Sequence, residues 1–472
     1  MTEKRTGAPV KNTSDKRQRP VAAGASGRTN KQGVKKGESI KRFAKQKSAK
    51  KTTAPHLTLT PKSTPKNENY RDYSVGDLEV SGGGAAAAVP SASKPKEKAK
   101  TRTIWYGFDH ALFTIVLILL AFGLIMMFSA SYATAYTATG DSLFYVKRQI
   151  IFAIGGIAIM LLLSTIDYHI FQSKVIVFLI AGISAALMIL VKLMGTTQGG
   201  SERWLQIGEI TFQPSEILKF AVIVLFAYLT EKKFEHIREF KKGFMPFALF
   251  LGFSCLLLML QPHLSGTIIV FAIGFTMMFV AGINPKYLIL MVVGLGLLVA
   301  VGLPILKAAG FDYFGDRILS FTNPEADIDD KTFQTYQSLV TIGSGGLFGL
   351  GFGNSRQKYS YLPMARNDFI FSIICEELGF VGAALVILLF VILVWRGFYI
   401  CCKARDKFGM MLAFGITFQI GLQALLNIAV VTNSVPNTGI SLPFFSYGGS
   451  ALVMQLAEIG ILLSVSRKAD LG

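Results

Sequence analysis

The chain has 472 residues, of which 51% are hydrophobic and only 16% are charged, and its formal net charge is +19. This composition, with a mean hydropathy of +0.46, excludes an ordinary water-soluble globular protein and is typical of a membrane protein. The basic charge is unevenly distributed, because residues 1–102 contain half of the 48 Lys and Arg residues.

Residues 1–103 are predicted to form a basic, disordered cytoplasmic tail. They are rich in Lys, Arg, Ser, Thr, Pro and Gly and have almost no apolar periodicity, so they cannot bury a hydrophobic core. Their positive charge predicts binding to anionic lipids, although nucleic acid or an acidic protein would be attracted in the same way.

Residues 104–472 are predicted to form an all-α polytopic membrane domain with about ten transmembrane helices, since each helix needs about 20 apolar residues. The predicted spans lie near residues 110–131, 149–166, 173–193, 214–230, 244–261, 264–282, 287–306, 369–395, 408–432 and 447–465. The positions of Lys and Arg in the short loops place both termini in the cytoplasm. The segment of about residues 307–368, between helices 7 and 8, then becomes a large extracytoplasmic loop.

Carboxylates in apolar spans are the first candidates for function, because charge in hydrocarbon is costly. Glu216 and Lys219 share a face in the first two turns of the fourth span, as an ion pair that orients the helix or as the lining of a polar cavity. Asp368 starts the eighth span at the same membrane level. Glu376 and Glu377 lie deeper and are interpreted as structural residues bonded to neighbouring helices.

Cations and a glycine-containing turn are predicted at the same outer face. Arg203 precedes the fourth span, Arg356 and Lys358 lie in the long loop, and Ser446 opens the turn into the tenth span. The outer face has no ATP, so a substrate there must arrive activated. A polyprenyl-pyrophosphate sugar fits, because its tail dissolves in the bilayer, Lys and Arg bind its pyrophosphate, and a carboxylate can act as general base.

Four segments resemble the signature segments of the SEDS family (shape, elongation, division and sporulation). They are "GSERWLQIGEITFQPSEILK", "YQSLVTIGSGGLFGLGFGNSRQKYSYLP", "DFIFSIICEELG" and "GISLPFFSYGGSALV". The "NSRQK" form is more similar to the division and sporulation branch, FtsW and SpoVE, than to the elongation branch, RodA.

The resemblance implies a peptidoglycan glycosyltransferase, a hexosyltransferase that polymerises lipid II at the outer face of the bacterial cytoplasmic membrane during cell division, with the division septum as its location. It implies as partners a class B penicillin-binding protein transpeptidase and other divisome membrane proteins. The family's catalytic aspartate falls on Asp368, and its cavity Glu and Lys fall on Glu216 and Lys219. The candidates for binding lipid II, chiefly its pyrophosphate, are Arg203, Glu216, Lys219, Arg356, Lys358 and Ser446.

Two segments depart from the family pattern. "LPMARNDFIF" replaces "LPEAHTDFIF", so that Met364, Arg366 and Asn367 stand where the family has Glu, His and Thr, and "QPHLSGT" replaces "QPDLGT", with His263 for Asp. No cofactor motif is present, and a divalent cation, Mg²⁺ or Mn²⁺, is left open. The alternative functions are a lipid II flippase and a non-catalytic division scaffold.

Overall fold

The computed structural model describes residues 107–198, 201–207, 210–261, 263–308, 317, 320–327, 332–359 and 361–470. The expectations for the tail, residues 1–103, lie outside the described residues. Within them, the prediction of a helical, multi-pass membrane protein is confirmed.

Each predicted span coincides with a helix. These helices are α1 (His110–Thr139), α2 (Phe144–Thr165), α3 (Lys174–Met194), α4 (Pro214–Lys232), α5 (Met245–Met259), α6 (Leu264–Val280), α7 (Pro285–Ala308), α9 (Ile370–Lys403), α10 (Lys407–Val431) and α11 (Gly449–Lys468), with a shorter α8 (Phe333–Ser344) in the long loop. In the described part of the chain, eight helices are long and apolar enough to cross a membrane, if α5 is counted with the π-helical turn Phe240–Phe244 that precedes it. The other two of the ten are α4, which carries four charged residues, and α6, which has 17 residues. The location of the termini stays a prediction.

Helix α4 lies at the centre of the helical bundle. Nearly all of its residues are buried, and it packs against α3, α5, α6 and α10. Pro214 occupies its first turn, where the missing N–H of proline leaves no hydrogen bond unmade. Because protein surrounds α4, its Glu and Lys side chains face neighbouring helices instead of lipid.

The loop before α4 is a small antiparallel sheet that the sequence analysis does not predict. Its strands are β1 (Thr196–Gln198), β2 (Ser201–Ile207) and β3 (Ile210–Phe212), in the order β1-β2-β3. Side chains alternate between the two faces of a strand. This alternation buries Leu205 and lets its neighbour Trp204 line a cavity.

Asp368 was predicted to start the eighth span. Helix α9 begins at Ile370, so Asp368 lies instead in the turn before the helix. The backbone carbonyl of Asp368 accepts a hydrogen bond from Asn427 of α10.

Helix α9 is also broken at Gly379, which has φ 67° and ψ −166°. Residues 345–352, here called the inserted segment, lie against this break and bond to its backbone. The hydrogen bonds run from Leu350 N to Glu376 O (2.9 Å), Gly351 N to Glu377 O (3.0 Å), Phe380 N to Gly346 O (2.9 Å) and Val381 N to Leu347 O (3.1 Å). Part of the long loop therefore lies alongside a membrane helix, where it supplies the hydrogen bonds that the break removes.

We expect Gly379→Ala to destabilise the protein by about 3 kcal/mol, because only glycine readily adopts this backbone conformation. A Cβ at this position would also lie 2.3 Å from Gly349 N. The measurement is thermal unfolding in detergent.

Gly294→Ala in α7 is the control, since a Cβ there meets nothing within 4 Å. It should change the free energy of unfolding by less than about 1 kcal/mol. Equal melting temperatures for the two variants would contradict the role of the break.

Candidate active site

A polar cavity of about 370 Å³ lies where α4, α6 and the turns before α9 and α11 meet. Its walls carry both charged and hydrogen-bonding side chains. Those that bear on function are Trp204, Glu216, Lys219, His263, Arg317, Arg366, Asp368 and Ser446. The cavity thus collects residues from segments that are far apart in the sequence.

Asp368 lines the cavity with its backbone fixed. Asn427 of α10 donates from Nδ2 to the Asp368 carbonyl oxygen at 2.7 Å and to Ile440 O at 2.6 Å, which ties two loops to one helix. Burial raises the pKa of Asp368 to about 6, while the charges of Arg203 and Arg317 act to lower it. A carboxylate with this pKa is ionised at neutral pH and accepts a proton more readily than an exposed aspartate.

The turn before α11 fixes the two residues that precede Asp368. Ser446 Oγ donates to Asn367 O at 2.6 Å, and Tyr447 N donates to Arg366 O at 2.9 Å. Ser446 itself lines the cavity, and its hydroxyl is engaged with backbone. It therefore positions the Asp368 turn.

Glu216 and Lys219 form a buried ion pair at the cavity wall. Lys219 Nζ lies 2.8 Å from Glu216 Oε2, and the two side chains are only 4% and 7% exposed. Lys219 also donates to Gln423 Oε1 at 3.1 Å. The sequence left open an ion pair or a cavity lining, and in this structure the two residues form an ion pair and also line the cavity.

His263 caps the start of α6 and faces the same cavity. Its Nδ1 accepts from Gly266 N at 3.4 Å, and Nε2 lies 3.2 Å from Gln213 Nε2. Burial lowers the pKa of His263 to about 3, and the charges of Arg203 and Lys219 act in the same direction. A neutral histidine thus fills the capping position.

Arg203 is close enough for its charge to act on Asp368 and His263, and its neighbour Trp204 lines the cavity. Two other predicted cations are not brought to the cavity. Arg356 is exposed on the long loop. Lys358 is fully buried, and its Nζ lies 2.9 Å from Glu377 Oε1.

Glu376 and Glu377 hold the long loop against α9. Glu376 Oε1 accepts from Arg356 N at 3.1 Å, and Glu377 Oε2 accepts from Ser129 Oγ of α1 at 2.7 Å. Lys358 Nζ also donates to Ser129 Oγ, at 3.2 Å. The structural interpretation of both glutamates fits these contacts, but their partners come mainly from the loop and only in part from a helix.

Three residues near the site were not predicted as site residues. Arg317 lines the cavity, but it stands alone in the long loop and no local pattern marks it. Arg366 was noticed only as a departure from the family pattern. Glu458 is buried in α11, where Gln419 Nε2 donates to its Oε2 at 2.7 Å. A single acid in the apolar run "QLAEIGILL" was the signal that could have found it.

The arrangement suits general-base chemistry on an anionic substrate. It combines an ionisable carboxylate of raised pKa, guanidinium groups that act on it, and a cavity of the size of a small-molecule site. Among the described residues, no group of three or more His, Cys, Asp and Glu side chains could hold a metal ion. We therefore derive no step through a divalent cation.

Comparison with known proteins places this chain in a well-populated family. A family model described as "Cell cycle protein", for FtsW, RodA and SpoVE, matches residues 109–471. The chain is 37% identical over 362 residues to the probable peptidoglycan glycosyltransferase FtsW of Geobacter sp. (strain M18), covering 77% of this chain and 97% of that protein. It is 41% identical over 360 residues to stage V sporulation protein E of Bacillus subtilis, covering 76% and 97%.

Solved structures share the fold. One chain of a peptidoglycan synthase complex, described as coordinating polymerization and crosslinking, matches with a TM-score of 0.63 and 27% identity over 77% of this chain and 98% of that chain. The rod shape determining protein RodA of Thermus thermophilus matches with a TM-score of 0.57 and 25% identity, covering 78% and 99%.

We expect Lys219→Met to cost about 3–5 kcal/mol of stability, because it leaves Glu216 buried without its partner. Glu216→Gln combined with Lys219→Met should lose less than the two single variants together, by about 1 kcal/mol or more. Thermal unfolding in detergent measures all three variants.

The control is Lys147→Met, which breaks an exposed ion pair with Asp141. It should change stability by less than about 1 kcal/mol. Strictly additive losses in the Glu216 and Lys219 variants would show that the two side chains act independently.

Proposed function

Because this chain belongs to the cell cycle protein family of FtsW, RodA and SpoVE, we propose that it is a peptidoglycan glycosyltransferase that polymerises lipid II in the cavity around Asp368. The observation that carries this proposal is the placement of Asp368 in a polar cavity at one end of a hydrophobic helical bundle. Burial there raises the pKa of its carboxyl group, and the positive charges of Arg203 and Arg317 act on the carboxylate. The names of the relatives support the reaction class.

In the proposed reaction, Asp368 accepts the proton of the sugar 4-hydroxyl of one lipid II molecule. The freed oxygen attacks the anomeric carbon of the growing chain, the new O–C1 bond forms, and the bond from C1 to pyrophosphate breaks. Undecaprenyl pyrophosphate leaves with the bonding electron pair. Asp368 then releases its proton to water, so the carboxylate is ready for the next cycle.

Cations stabilise the leaving group in this scheme. Arg203 and Arg317 are the guanidinium groups whose charge acts on Asp368. The breaking bond lies next to the base, so these arginines are our candidates for the leaving pyrophosphate. The charge of Lys219 is neutralised by Glu216 at 2.8 Å, so Lys219 stabilises the cavity wall. Arg356 is exposed and Lys358 is paired with Glu377, so neither is assigned to the pyrophosphate in this scheme.

The partner and the cellular site complete the proposal. One structural match is to a chain of a peptidoglycan synthase complex, which supports a class B penicillin-binding protein transpeptidase as partner, within the divisome at the septum. A flippase would move lipid II without forming polymer, and a scaffold would do neither. Polymerisation of lipid II by the purified protein, with and without its partner, separates the three functions.

We expect Asp368→Asn to lower polymerisation by roughly 10²- to 10⁴-fold, because the amide keeps the size of the side chain but cannot accept the proton. The measurement is the glycan chain yield from lipid II, with melting temperature and partner binding recorded in parallel. Asp141→Asn, at an exposed acid that pairs with Lys147, should keep near-normal activity. A stable, partner-bound Asp368→Asn protein with the wild-type rate would refute the assignment.

The pH dependence should follow the ionisation of the same carboxylate. Since burial raises the pKa of Asp368 to about 6, kcat/KM should be nearly constant above pH 7 and should fall about tenfold per pH unit well below pH 6. Initial rates between pH 5 and pH 8 measure this. A decrease in kcat/KM with its midpoint near pH 4 would contradict this, because that is the pKa range of an exposed aspartate.

A further inference from the structure

Arg366 is a cation on the cavity wall for which the proposed reaction has so far given no role. It lies two residues from Asp368 and lines the same cavity. The guanidinium groups that act on Asp368 are nevertheless those of Arg203 and Arg317. The Asp368 carboxylate lies beside Gly439, where a Cβ would be 3.1 Å from Oδ2, whereas the guanidinium of Arg366 lies against Tyr145 of α2 and Thr134 of α1. The two side chains therefore contact different elements of the cavity wall.

The surroundings of Arg366 hold its guanidinium without neutralising it. Its Cζ lies 4.0 Å from the ring centroid of Tyr145, and Nη1 donates to Thr134 Oγ1 at 3.3 Å. The buried Nε has no hydrogen-bond partner, and within the described ranges Arg366 forms no salt bridge with a carboxylate. A stacked guanidinium that lines a cavity and has no carboxylate partner is suited to binding phosphate oxygens.

A second arginine lies in the same region. Arg148 hydrogen-bonds to Tyr447, and the charges of both Arg148 and Arg366 reach the Tyr447 hydroxyl. Tyr447 lines the cavity, and its ring packs on Tyr145 with centroids 5.2 Å apart. The two arginines and two tyrosines thus form one basic, aromatic cluster, of which Arg366 and Tyr447 line the cavity.

The chemistry of the proposed reaction requires two pyrophosphate groups in the cavity at once. The chain that is attacked carries its pyrophosphate on the reacting carbon, next to the base. The attacking lipid II carries its pyrophosphate at the other end of its disaccharide, so this second group must lie away from Asp368. The cavity offers positive charge in two places, from Arg203 and Arg317, which act on the base, and from Arg366, which lies against α1 and α2.

We propose that Arg366, with Arg148 and Tyr447, forms the subsite for the pyrophosphate of the attacking lipid II. This inference rests on the proposed function. The subsite takes a polyprenyl-linked pyrophosphate, Arg366 contacts its oxygens, and the stacking on Tyr145 fixes the guanidinium plane. Arg203 and Arg317 are left to bind the pyrophosphate that leaves.

The test is the number of undecaprenyl pyrophosphate molecules bound per full-length chain in detergent. This lipid is the product of the reaction, so binding is measured without turnover. We expect two bound lipids for the wild type and one for Arg366→Gln at the same lipid concentration. Arg238→Gln, at an exposed arginine between α4 and α5, is the matched control and should bind two.

Kinetics give a second readout that a purely structural role would not produce. With the partner present, Arg366→Gln should raise KM for lipid II by about tenfold. Its kcat should stay within about threefold of the wild type, because the base and the leaving-group arginines are intact. Arg366→Lys keeps the positive charge but not the planar array of N–H donors, so its KM should lie between those of the wild type and Arg366→Gln.

The outcomes separate the subsite from the reaction. Equal lipid binding by wild type and Arg366→Gln, or an unchanged KM in a folded variant, would overturn the subsite while polymerisation stands. Two lipids bound in an Arg366-dependent manner by a wild-type protein that makes no glycan would refute the polymerase and keep the subsite. A drop in kcat with unchanged KM and binding would also overturn it.

Discussion

Charge buried among membrane helices must be balanced locally, because an isolated ion in a low-dielectric environment costs several kcal/mol. This fold meets that requirement by pairing its structural charges. Lys358 with Glu377 at 2.9 Å and Arg396 with Asp109 at 2.7 Å join segments distant in sequence. In the part of the chain that the structure describes, Asp368 and Arg366 form no such pair although both line the cavity. Charge that the fold leaves unbalanced remains available for a substrate.

The same requirement explains the architecture around the cavity. Helix α4 can carry Glu216 and Lys219 because other helices enclose it. Lys219 Nζ also donates a hydrogen bond to Gln423 Oε1 of α10 at 3.1 Å. Gln423 Nε2 in turn donates to Ser441 Oγ at 3.2 Å. A continuous polar chain thus runs from α4 to the turn before α11, and that turn fixes the backbone on which Asp368 sits.

Local sequence patterns predicted the elements that depend on local forces. Apolar windows located the helices, and the spacing of Glu216 and Lys219 predicted their pairing, since residues three apart on a helix are neighbours. The buried position of Lys358 was not predicted, because its partner, Glu377, is 19 residues away in the sequence. That pair forms only after the long loop folds back on α9. The conformation of Gly379 was equally hidden, because a glycine in an apolar run does not reveal its φ.

The break in α9 also has a consequence for synthesis in the cell. The ribosome makes the inserted segment (residues 345–352) before residues 376–381, to which its backbone bonds. The backbone N–H and C=O groups on the two sides of this contact cannot form hydrogen bonds with lipid, since hydrocarbon offers no hydrogen-bond partners. The backbone groups at the break in α9 are therefore hydrogen-bonded within the bilayer only once the inserted segment lies against them. Substitutions at this contact should change how much protein matures in the membrane before they change how fast a mature molecule turns over.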